Sequence, residues 1–274
     1  MSGTTQPGAE PFTQRTPRVV AARRLTRRVE RDRTGRFLAE GVNAVAAALE
    51  RQLVRELFVT ASAQQAHPEL VAAAHERGVR VSPVTDRAAA ALSETVTPQG
   101  IVAVCDLLDR SLDGLLPPGA RLVAVLVDVA DPGNAGTVIR VADAAGADAV
   151  ILAGDSVDPH NGKCVRASAG SLFHLPIARV RDTAAALSAC RDAGLRLLAA
   201  HGYAEAALDS LDLAEPVAWV FGNEAHGLPA DVLREVDTPV RIPLYGGAES
   251  LNLATAAAVC LYAAAMAQRR SSGG

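Results

Sequence analysis

The sequence predicts an α/β protein built on a mostly parallel sheet, and three observations carry this prediction. Short apolar segments alternate with helical patterns through the second half of the chain. These segments are almost continuously apolar, as strands are when helices cover both faces of a parallel sheet. Hydrophobic residues make up 49% of the 274 residues and aromatic residues only 3%, so a sizeable core must be built chiefly from Ala, Val and Leu.

The amino-terminal part of the chain is expected to form a small α/β domain behind a disordered tail. Residues 1–18 are rich in Gly, Pro, Thr and Gln and show no periodicity, which predicts disorder. The apolar residues from Phe37 to Leu49 recur at helical spacing, which predicts an amphipathic helix. Within this domain, residues 19–105, further strands are predicted at 56–60, 79–84 and 100–105, and helices at 68–77 and 85–92.

A linker rich in Gly and Pro, residues 106–120, leads into a second domain at residues 121–270. Strands are predicted there at 121–129, 149–153, 195–200, 217–221 and 238–244, and helices at 135–145, 183–193, 229–235 and 250–268. Ligands of such sheets bind in the crevice beyond the carboxyl ends of the strands. We therefore expect the chemistry in the loops that follow the strands.

The charge distribution favours contact with nucleic acid. The chain has a net charge of −3, but between Arg15 and Arg36 nine Arg residues stand against two carboxylates, a local charge of +7. Such a concentration suits RNA phosphates, although a solvated helix face is the alternative explanation. The residues of this stretch that we expect to bind RNA are Arg23, Arg24, Arg27, Arg28 and Arg36.

Cysteine spacing and hydropathy argue against several other classes of protein. The four Cys residues form neither a C-x-x-C pair nor a zinc-finger spacing, so we expect reduced core thiols in a cytoplasmic protein, and no metal site. The start of the chain lacks the pattern of a secretory signal peptide. The apolar run near the end of the chain is rich in Ala and contains polar residues, so we expect a buried or interface helix and no membrane span.

Three loops that follow predicted strands carry the polar side chains that could perform chemistry. Asn134 opens a helix and Arg140 follows in its second turn, Glu224 lies in a Gly-Asn-Glu loop, and Ser250 and Asn252 precede the last helix. Singly, these residues are also typical of helix caps and surface positions. Neither the G-x-G-x-x-G fingerprint nor a P-loop is present, which counts against a nucleotide-dependent oxidoreductase.

Taken in order, these residues resemble the motifs of the SpoU family of RNA 2′-O-ribose methyltransferases, in the SPOUT class. The three motif segments are Asn134-x-Gly136-x3-Arg140, Phe221-Gly222-Asn223-Glu224-x2-Gly227, and Ile242-Pro243-Leu244 followed by Ser250-Leu251-Asn252-Leu253-Ala254. Upstream, Arg36–Gly41 resembles the opening of the small L30-like substrate-binding domain that often precedes this catalytic domain. Every polar motif position is present, so we expect an active enzyme.

The resemblance implies properties that periodicity does not reveal. It implies a trefoil knot near the carboxyl end, an L30-like domain before it, and a homodimer. The implied cofactor is S-adenosyl-L-methionine, and by matching positions its contacts are Ala199, Ala200, Gly222, Ile242 and Leu251. The run from Arg166 to Ser171 also matches the family, which makes Arg166 a further candidate RNA contact.

The reaction that the resemblance implies is attack of a ribose 2′-hydroxyl on the sulfonium methyl group. Because a guanidinium is a poor base, with a pKa above about 12, we expect Arg140 to bind the adjacent phosphate and to lower the effective pKa of the hydroxyl. The proton then passes to that phosphate or to a desolvated Arg140. Asn134 and Asn252 are expected to orient the hydroxyl and the loops, Glu224 to fix loop geometry, and Ser250 to order the third loop.

Ribosomal RNA is the favoured substrate, because a separate RNA-binding domain suits a large folded target. A transfer-RNA 2′-O-methyltransferase is the first alternative. A non-catalytic RNA-binding protein is the second, although such a protein would have no need to keep the polar residues of the three loops together.

Overall fold

The described chain, residues 10–272 of a computed structural model, forms two compact units. One unit comprises the chain up to Leu107 together with Pro159–Phe173. The other comprises Leu108–Asp158 and the chain from His174 onward. The segment Pro159–Phe173 therefore packs with the first unit, although it lies within the sequence of the second.

Helices and strands are numbered in chain order. As far as Asp106 they are α1 (Pro17–Arg24), α2 (Arg28–Thr34), β1 (Arg36–Glu40), α3 (Val42–Glu50), β2 (Val54–Val59), α4 (Ala61–Ala66), α5 (Pro68–Glu76), β3 (Arg80–Pro83), α6 (Asp86–Leu92) and β4 (Ile101–Asp106). Beyond it they are β5 (Leu122–Val127), α7 (Pro132–Ala145), β6 (Ala149–Ala153), α8 (Gly162–Ala167), β7 (Ile177–Val180), α9 (Thr183–Asp192), β8 (Arg196–Ala200), β9 (Ala206–Ala207), β10 (Val217–Phe221), α10 (Ala230–Glu235), β11 (Thr238–Arg241) and α11 (Leu253–Ser272).

The first unit is built on a four-stranded sheet with the order β1-β4-β2-β3. The pairs β1–β4 and β2–β4 are antiparallel, and β2–β3 is parallel. One face buries a cluster that includes Leu38, Phe58 and Val102 beneath α1 and α6. Thr85 caps α6, because its hydroxyl accepts a hydrogen bond from the N–H of Ala88 at 3.2 Å.

Two expectations for this unit are wrong. Phe37 and Leu38 lie in β1 rather than in a helix, since Phe37 pairs with Cys105 and Leu38 with Val104. Consecutive strand residues point to opposite faces, and both of these side chains are buried because both faces of the sheet are covered. Two adjacent apolar residues followed by others at helical spacing therefore looked like one face of a helix. The predicted disordered tail lies partly outside the described residues, at 1–9, but residues 10–18 are ordered. The backbone of Phe12 exchanges hydrogen bonds with Pro83 and Thr85 beside β3.

The second unit confirms the parallel sheet. Its seven strands run in the order β7-β6-β5-β10-β8-β11-β9, and every neighbouring pair is parallel. Along β10, Ala218 and Val220 belong to a core cluster that also contains residues of α9 and α10. The alternate residues Trp219 and Phe221 are fully buried and point to the opposite face. Helices therefore cover both faces of this sheet.

Some boundaries differ from the sequence prediction for reasons visible in the structure. The helix α7 begins at Pro132, and Asp131 caps it by accepting a hydrogen bond from the N–H of Asn134 at 2.8 Å. Asn134 is therefore a first-turn residue and not the cap. The helix α11 begins at Leu253 rather than at residue 250, and the edge strand β7 was not predicted. None of the helices within residues 10–272 combines the length and apolar character that crossing a membrane requires.

Candidate functional site

The loops that follow β5, β10 and β11 line one cavity at the carboxyl edge of the parallel sheet. The strands β5 and β10 are neighbours, so their following loops emerge side by side. The cavity has a volume of about 420 Å³, within the size range of small-molecule sites. Its lining includes Asn134 from the first loop, Gly222–Glu224 from the second, and Glu249–Leu253 from the third.

Glu224 joins the second loop to the first. Its carboxylate accepts hydrogen bonds from the backbone N–H groups of Ala130 and Asp131, each at 3.1 Å, and from Nδ2 of Asn134 at 3.0 Å. Burial pushes the pKa of Glu224 upward, but the hydrogen bonds from Asn134 and the backbone outweigh it, and the pKa lies below its usual value. The carboxylate is therefore held in its charged form as an acceptor.

Asn134 and Asn252 extend this connection to the third loop. Nδ2 of Asn252 donates to Oδ1 of Asn134 at 3.0 Å. Oδ1 of Asn252 accepts from the N–H of Ala254 at 2.9 Å, and so caps the start of α11. A continuous chain of hydrogen bonds, Glu224–Asn134–Asn252, thus links all three loops. We call these three side chains the polar triad.

A second connection, which the sequence analysis missed, runs between Asn223 and Asp128. Nδ2 of Asn223 donates to the carbonyl oxygen of Asp128 at 2.8 Å, and its Oδ1 accepts from the N–H groups of Ala225 and His226. Asp128 has a φ of +54°, which Asp tolerates better than most residues. Its side chain accepts from the N–H of Asp155 at 2.8 Å. The signal in the sequence was an aspartate directly after a buried strand.

Four of the five expected cofactor contacts line the cavity, namely Ala200, Gly222, Ile242 and Leu251. A side chain cannot replace the hydrogen of Gly222, because an added Cβ would lie 2.4 Å from the carbonyl carbon of Gly227. The wall of the cavity at Gly222 therefore consists of backbone alone, and apolar side chains such as those of Ile242 and Leu251 line other parts of the same cavity. Ala199 does not reach the cavity, since it is fully buried in the sheet.

Two expected catalytic residues behave differently from the polar triad. Ser250 lines the cavity but is exposed. Arg140 is exposed on α7 and does not line the cavity of its own chain. Because each helical residue turns by about 100°, a residue six positions after Asn134 points to a different side of α7. The structure therefore gathers Asn134, Glu224, Ser250 and Asn252 but leaves Arg140 outside this group.

The arginines of the first unit fall into two groups. Those expected to bind RNA are all exposed, namely Arg23, Arg24, Arg27, Arg28 and Arg36. In contrast, Arg31 is buried and donates to the carbonyl oxygens of Leu25 and Thr26 at 3.0 and 2.9 Å. Arg166 is half-buried and forms an ion pair with Glu40 at 3.2 Å. Within residues 10–272, no group of three or more His, Cys, Asp or Glu side chains is arranged to hold a metal ion.

Comparison with protein families divides the chain in a similar way. Residues 121–262 match the SpoU rRNA Methylase family, and residues 16–103 match the MRM3-like substrate binding domain. The 23S rRNA (guanosine(2553)-2′-O)-methyltransferase RlmP of Bacillus subtilis strain 168 is 36% identical over 241 residues, which cover 88% of this chain and 92% of that protein. The 23S rRNA (uridine(2479)-2′-O)-methyltransferase of Streptomyces viridochromogenes is 32% identical over 272 residues, which cover 96% and 94%.

Solved structures match nearly the whole length of the chain. The AdoMet-bound rRNA methyltransferase from Sinorhizobium meliloti has a TM-score of 0.83 and 34% identity, over 96% of this chain and 98% of that one. The SpoU methyltransferase AviRb from Streptomyces viridochromogenes, in complex with AdoMet, has a TM-score of 0.81 and 31% identity, over 94% and 100%.

Proposed function

The chain belongs to the SpoU rRNA methylase family and is an S-adenosyl-L-methionine-dependent RNA 2′-O-methyltransferase, and we propose that its substrate is 23S ribosomal RNA. The observation that carries this proposal is the polar triad, which joins the three family motifs at the rim of one cavity. The 23S rRNA names of its relatives support the choice of substrate. Such a substrate also favours a cytoplasmic location, where ribosomes assemble.

The cavity suits S-adenosyl-L-methionine. Its apolar residues, among them Ile242, Leu244 and Leu251, can cover a purine, and the bare backbone at Gly222 lets a ligand approach closely. We propose that Ala200, Gly222, Ile242 and Leu251 hold the cofactor, with Ala199 supporting them from the sheet. When bound, the cofactor supplies a methyl group activated by its sulfonium charge.

The polar triad is proposed to position the ribose. Asn134 and Asn252 can present amide groups to the 2′-hydroxyl, while Glu224 fixes Asn134 and Ser250 borders the same opening. With the cofactor bound, these groups would hold the ribose 2′-oxygen against its methyl group, and the hydroxyl proton would pass to the neighbouring phosphate or to a desolvated Arg140. Arg140 is proposed to bind the neighbouring phosphate, which stabilises the oxygen as it loses that proton.

Since Arg140 lies outside the cavity of its own chain, we propose that it serves the site of a second subunit. The helix α11 exposes an apolar stripe, Val259, Tyr262 and Met266, with 39%, 42% and 53% of each residue accessible. The hydroxyl of Tyr262 lies 3.4 Å from the carbonyl oxygen of Ala144 at the end of α7, the helix that carries Arg140. An apolar stripe on a helix that contacts α7, together with an Arg140 that has no ion-pair partner within residues 10–272, is what a homodimer interface that completes the site would require.

A mixing experiment tests the shared site. Arg140→Ala and Asn134→Ala are each expected to lose most methyl transfer. If Arg140 acts across the interface, mixed dimers contain one complete site, and refolded mixtures should recover about a quarter of the wild-type activity. No recovery, although mixed dimers form, would place Arg140 in the site of its own chain.

The trefoil knot is proposed for the second unit. The strand β10 lies between β5 and β8, and the chain then passes beyond β8 to β11 before α11 returns. Nε2 of Gln268 near the end of α11 donates to the carbonyl oxygens of Arg121 and Glu215 at 2.9 and 3.1 Å. The end of the chain thus returns to the starts of β5 and β10, which supports a threaded path. A chain trace from a crystal structure would decide between a knotted and an unknotted path.

Transfer of a labelled methyl group tests the substrate. We expect the wild type to label a 23S rRNA transcript, and the label to resist alkaline cleavage because the 2′-oxygen is blocked. Transfer RNA serves as the competing substrate. Preferential labelling of transfer RNA would contradict the choice of ribosomal RNA, and cofactor binding without label on either RNA would contradict the activity on free RNA.

A further inference from the structure

We propose that a cavity within the first unit binds one unstacked base of the RNA. The cavity, of about 340 Å³, is bordered by the first turn of α3, by the loop before β4, and by the chain around α8. All of these belong to the first unit. The inference rests on the proposed function, since it takes RNA as the ligand, and it assigns that RNA a second contact away from the methyl-transfer cavity.

The charge at the floor of this cavity is balanced. Glu40 is only 8% exposed and accepts hydrogen bonds from the hydroxyls of Ser93 and Thr95 at 2.5 and 3.2 Å. Its other oxygen accepts from Nη1 of Arg166 at 3.2 Å. Because a buried carboxylate compensates Arg166, the cavity offers little net attraction to a phosphate. A neutral group rich in hydrogen-bonding atoms suits it better, and a nucleobase is such a group.

The side chains at the opening supply those hydrogen bonds. Gln99 accepts through Oε1 from the N–H of Val42 at 3.1 Å, which fixes the amide plane. Its amino group has no acceptor among the residues that the structure describes, and Asn43 has no side-chain partner there either. Asn and Gln amides match the edge of a base with paired donors and acceptors. The two amides therefore remain available for a ligand.

The size and the wall of the cavity favour a single base. A volume of about 340 Å³ lies at the small end of ligand sites, too small for a base pair with its backbone. The backbone is closely packed beside the lining residue Ala169, because an added Cβ on its neighbour Gly170 would lie 3.1 Å from the carbonyl oxygen of Asn43. None of the described residues that line the cavity is aromatic, so a base is recognised here by its edge rather than by stacking. Such a base must come from an RNA loop or bulge.

The test compares RNA affinity of Asn43→Ala and Gln99→Ala with the wild type, using filter binding to a 23S rRNA transcript. Each substitution is expected to weaken binding about tenfold, or about 1.4 kcal/mol. The dependence of affinity on salt should not change, because no phosphate contact is lost. The matched control is Gln65→Ala, an exposed Gln of the same unit outside the cavity, which should bind as the wild type does.

Two further measurements separate this inference from failure of the proposed function. Affinity for S-adenosyl-L-methionine and thermal stability should be unchanged in Asn43→Ala, since that side chain has no partner among the described residues. Chemical probing should show a base protected by the wild type and released in Asn43→Ala. Unchanged RNA affinity in both variants, or a lowered salt slope, overturns the base-binding cavity, whereas absent methyl transfer by the wild type overturns only the activity.

Discussion

Removal of the Glu224 carboxylate is the most informative perturbation of the methyl-transfer cavity. Its two oxygens accept three hydrogen bonds, two from the backbone of the first loop and one from Asn134. In Glu224→Ala all three are lost. In Glu224→Gln the single remaining oxygen can accept at most two of these hydrogen bonds, and the new amino group would face a backbone N–H, which is also a donor. The two variants therefore remove some or all of the hydrogen bonds that Glu224 makes between the loops.

The expected loss of loop-ordering free energy follows from the number of hydrogen bonds that each variant loses. Hydrogen bonds to charged groups contribute about 1.5–3 kcal/mol when buried, but Glu224 is exposed to water, which lowers each to about 1 kcal/mol. Glu224→Gln then costs about 1–1.5 kcal/mol and Glu224→Ala about 3 kcal/mol of loop ordering. If methyl transfer requires the ordered loops, kcat/KM falls about tenfold in the first variant and about a hundredfold in the second.

The assay is methyl transfer to a 23S rRNA transcript, with Glu235→Gln as the control. Glu235 is an exposed carboxylate of the same unit, so the control removes an equal charge without touching the loops. Adding Asn134→Ala to Glu224→Ala should cost less than the sum of the two, because they share one hydrogen bond. Equal rates for Glu224→Ala and wild type would refute the reasoning, and so would an equal loss in the control.

The pH dependence gives an independent check on the same residue. The pKa of Glu224 in the folded protein lies below its ordinary value of 4.5. Its contribution to stability is therefore complete above that value and is lost as the pH falls through the lower pKa of the folded state. The difference in unfolding free energy between wild type and Glu224→Gln should be constant between about pH 6 and pH 8. It should become smaller as the pH falls below 4.5, where the carboxylate of Glu224 begins to be protonated.

Three other predictions concern separate parts of the chain. Replacing Arg23 and Arg27 with Ala should reduce the steepness of log RNA affinity against log salt by about 1.4–1.8, because two phosphate contacts are lost. In the control, Ala in place of the exposed Arg51 should leave this salt dependence unchanged. Gly222→Ala should lower the unfolding free energy by about 1–3 kcal/mol and weaken cofactor binding in calorimetry, since its Cβ would meet Gly227. The four buried Cys residues should react with a maleimide only after unfolding.

Periodicity and loop chemistry were sufficient to predict five of the seven strands of the larger sheet, all but the short strands β7 and β9. The strands β6 and β10 have the predicted bounds, and Gly146 and Gly194 have positive φ values of +77° and +80°, as expected after helices. These features are local, because each depends on residues adjacent in sequence. The presence of Asn134, Glu224 and Asn252 around one cavity was also foreseeable, since parallel strands bring their following loops to one edge.

Features that depend on distant partners were not predictable. Phe37 and Leu38 are strand residues only because Cys105 and Val104 pair with them across the sheet. The segment Pro159–Phe173 packs with the first unit, which no pattern within that segment signals. Arg140 was expected among the polar side chains of the three loops, but the helical turn carries it to another side of α7.

The environment of Glu224 argues that this enzyme acts by positioning rather than through a carboxylate base. An effective base has a pKa near the working pH, whereas hydrogen bonds hold the pKa of Glu224 below its usual value. Three of its roughly four acceptor positions are also occupied, and a proton taken up by the carboxylate would remove the charge that strengthens the bonds joining the two loops. The charged form of Glu224 is therefore favoured by the same hydrogen bonds that join the loops, which suits a positioning residue better than a base. The lowered pKa of Glu224 thus agrees with the proposal that the RNA phosphate and Arg140, rather than Glu224, assist the loss of the hydroxyl proton.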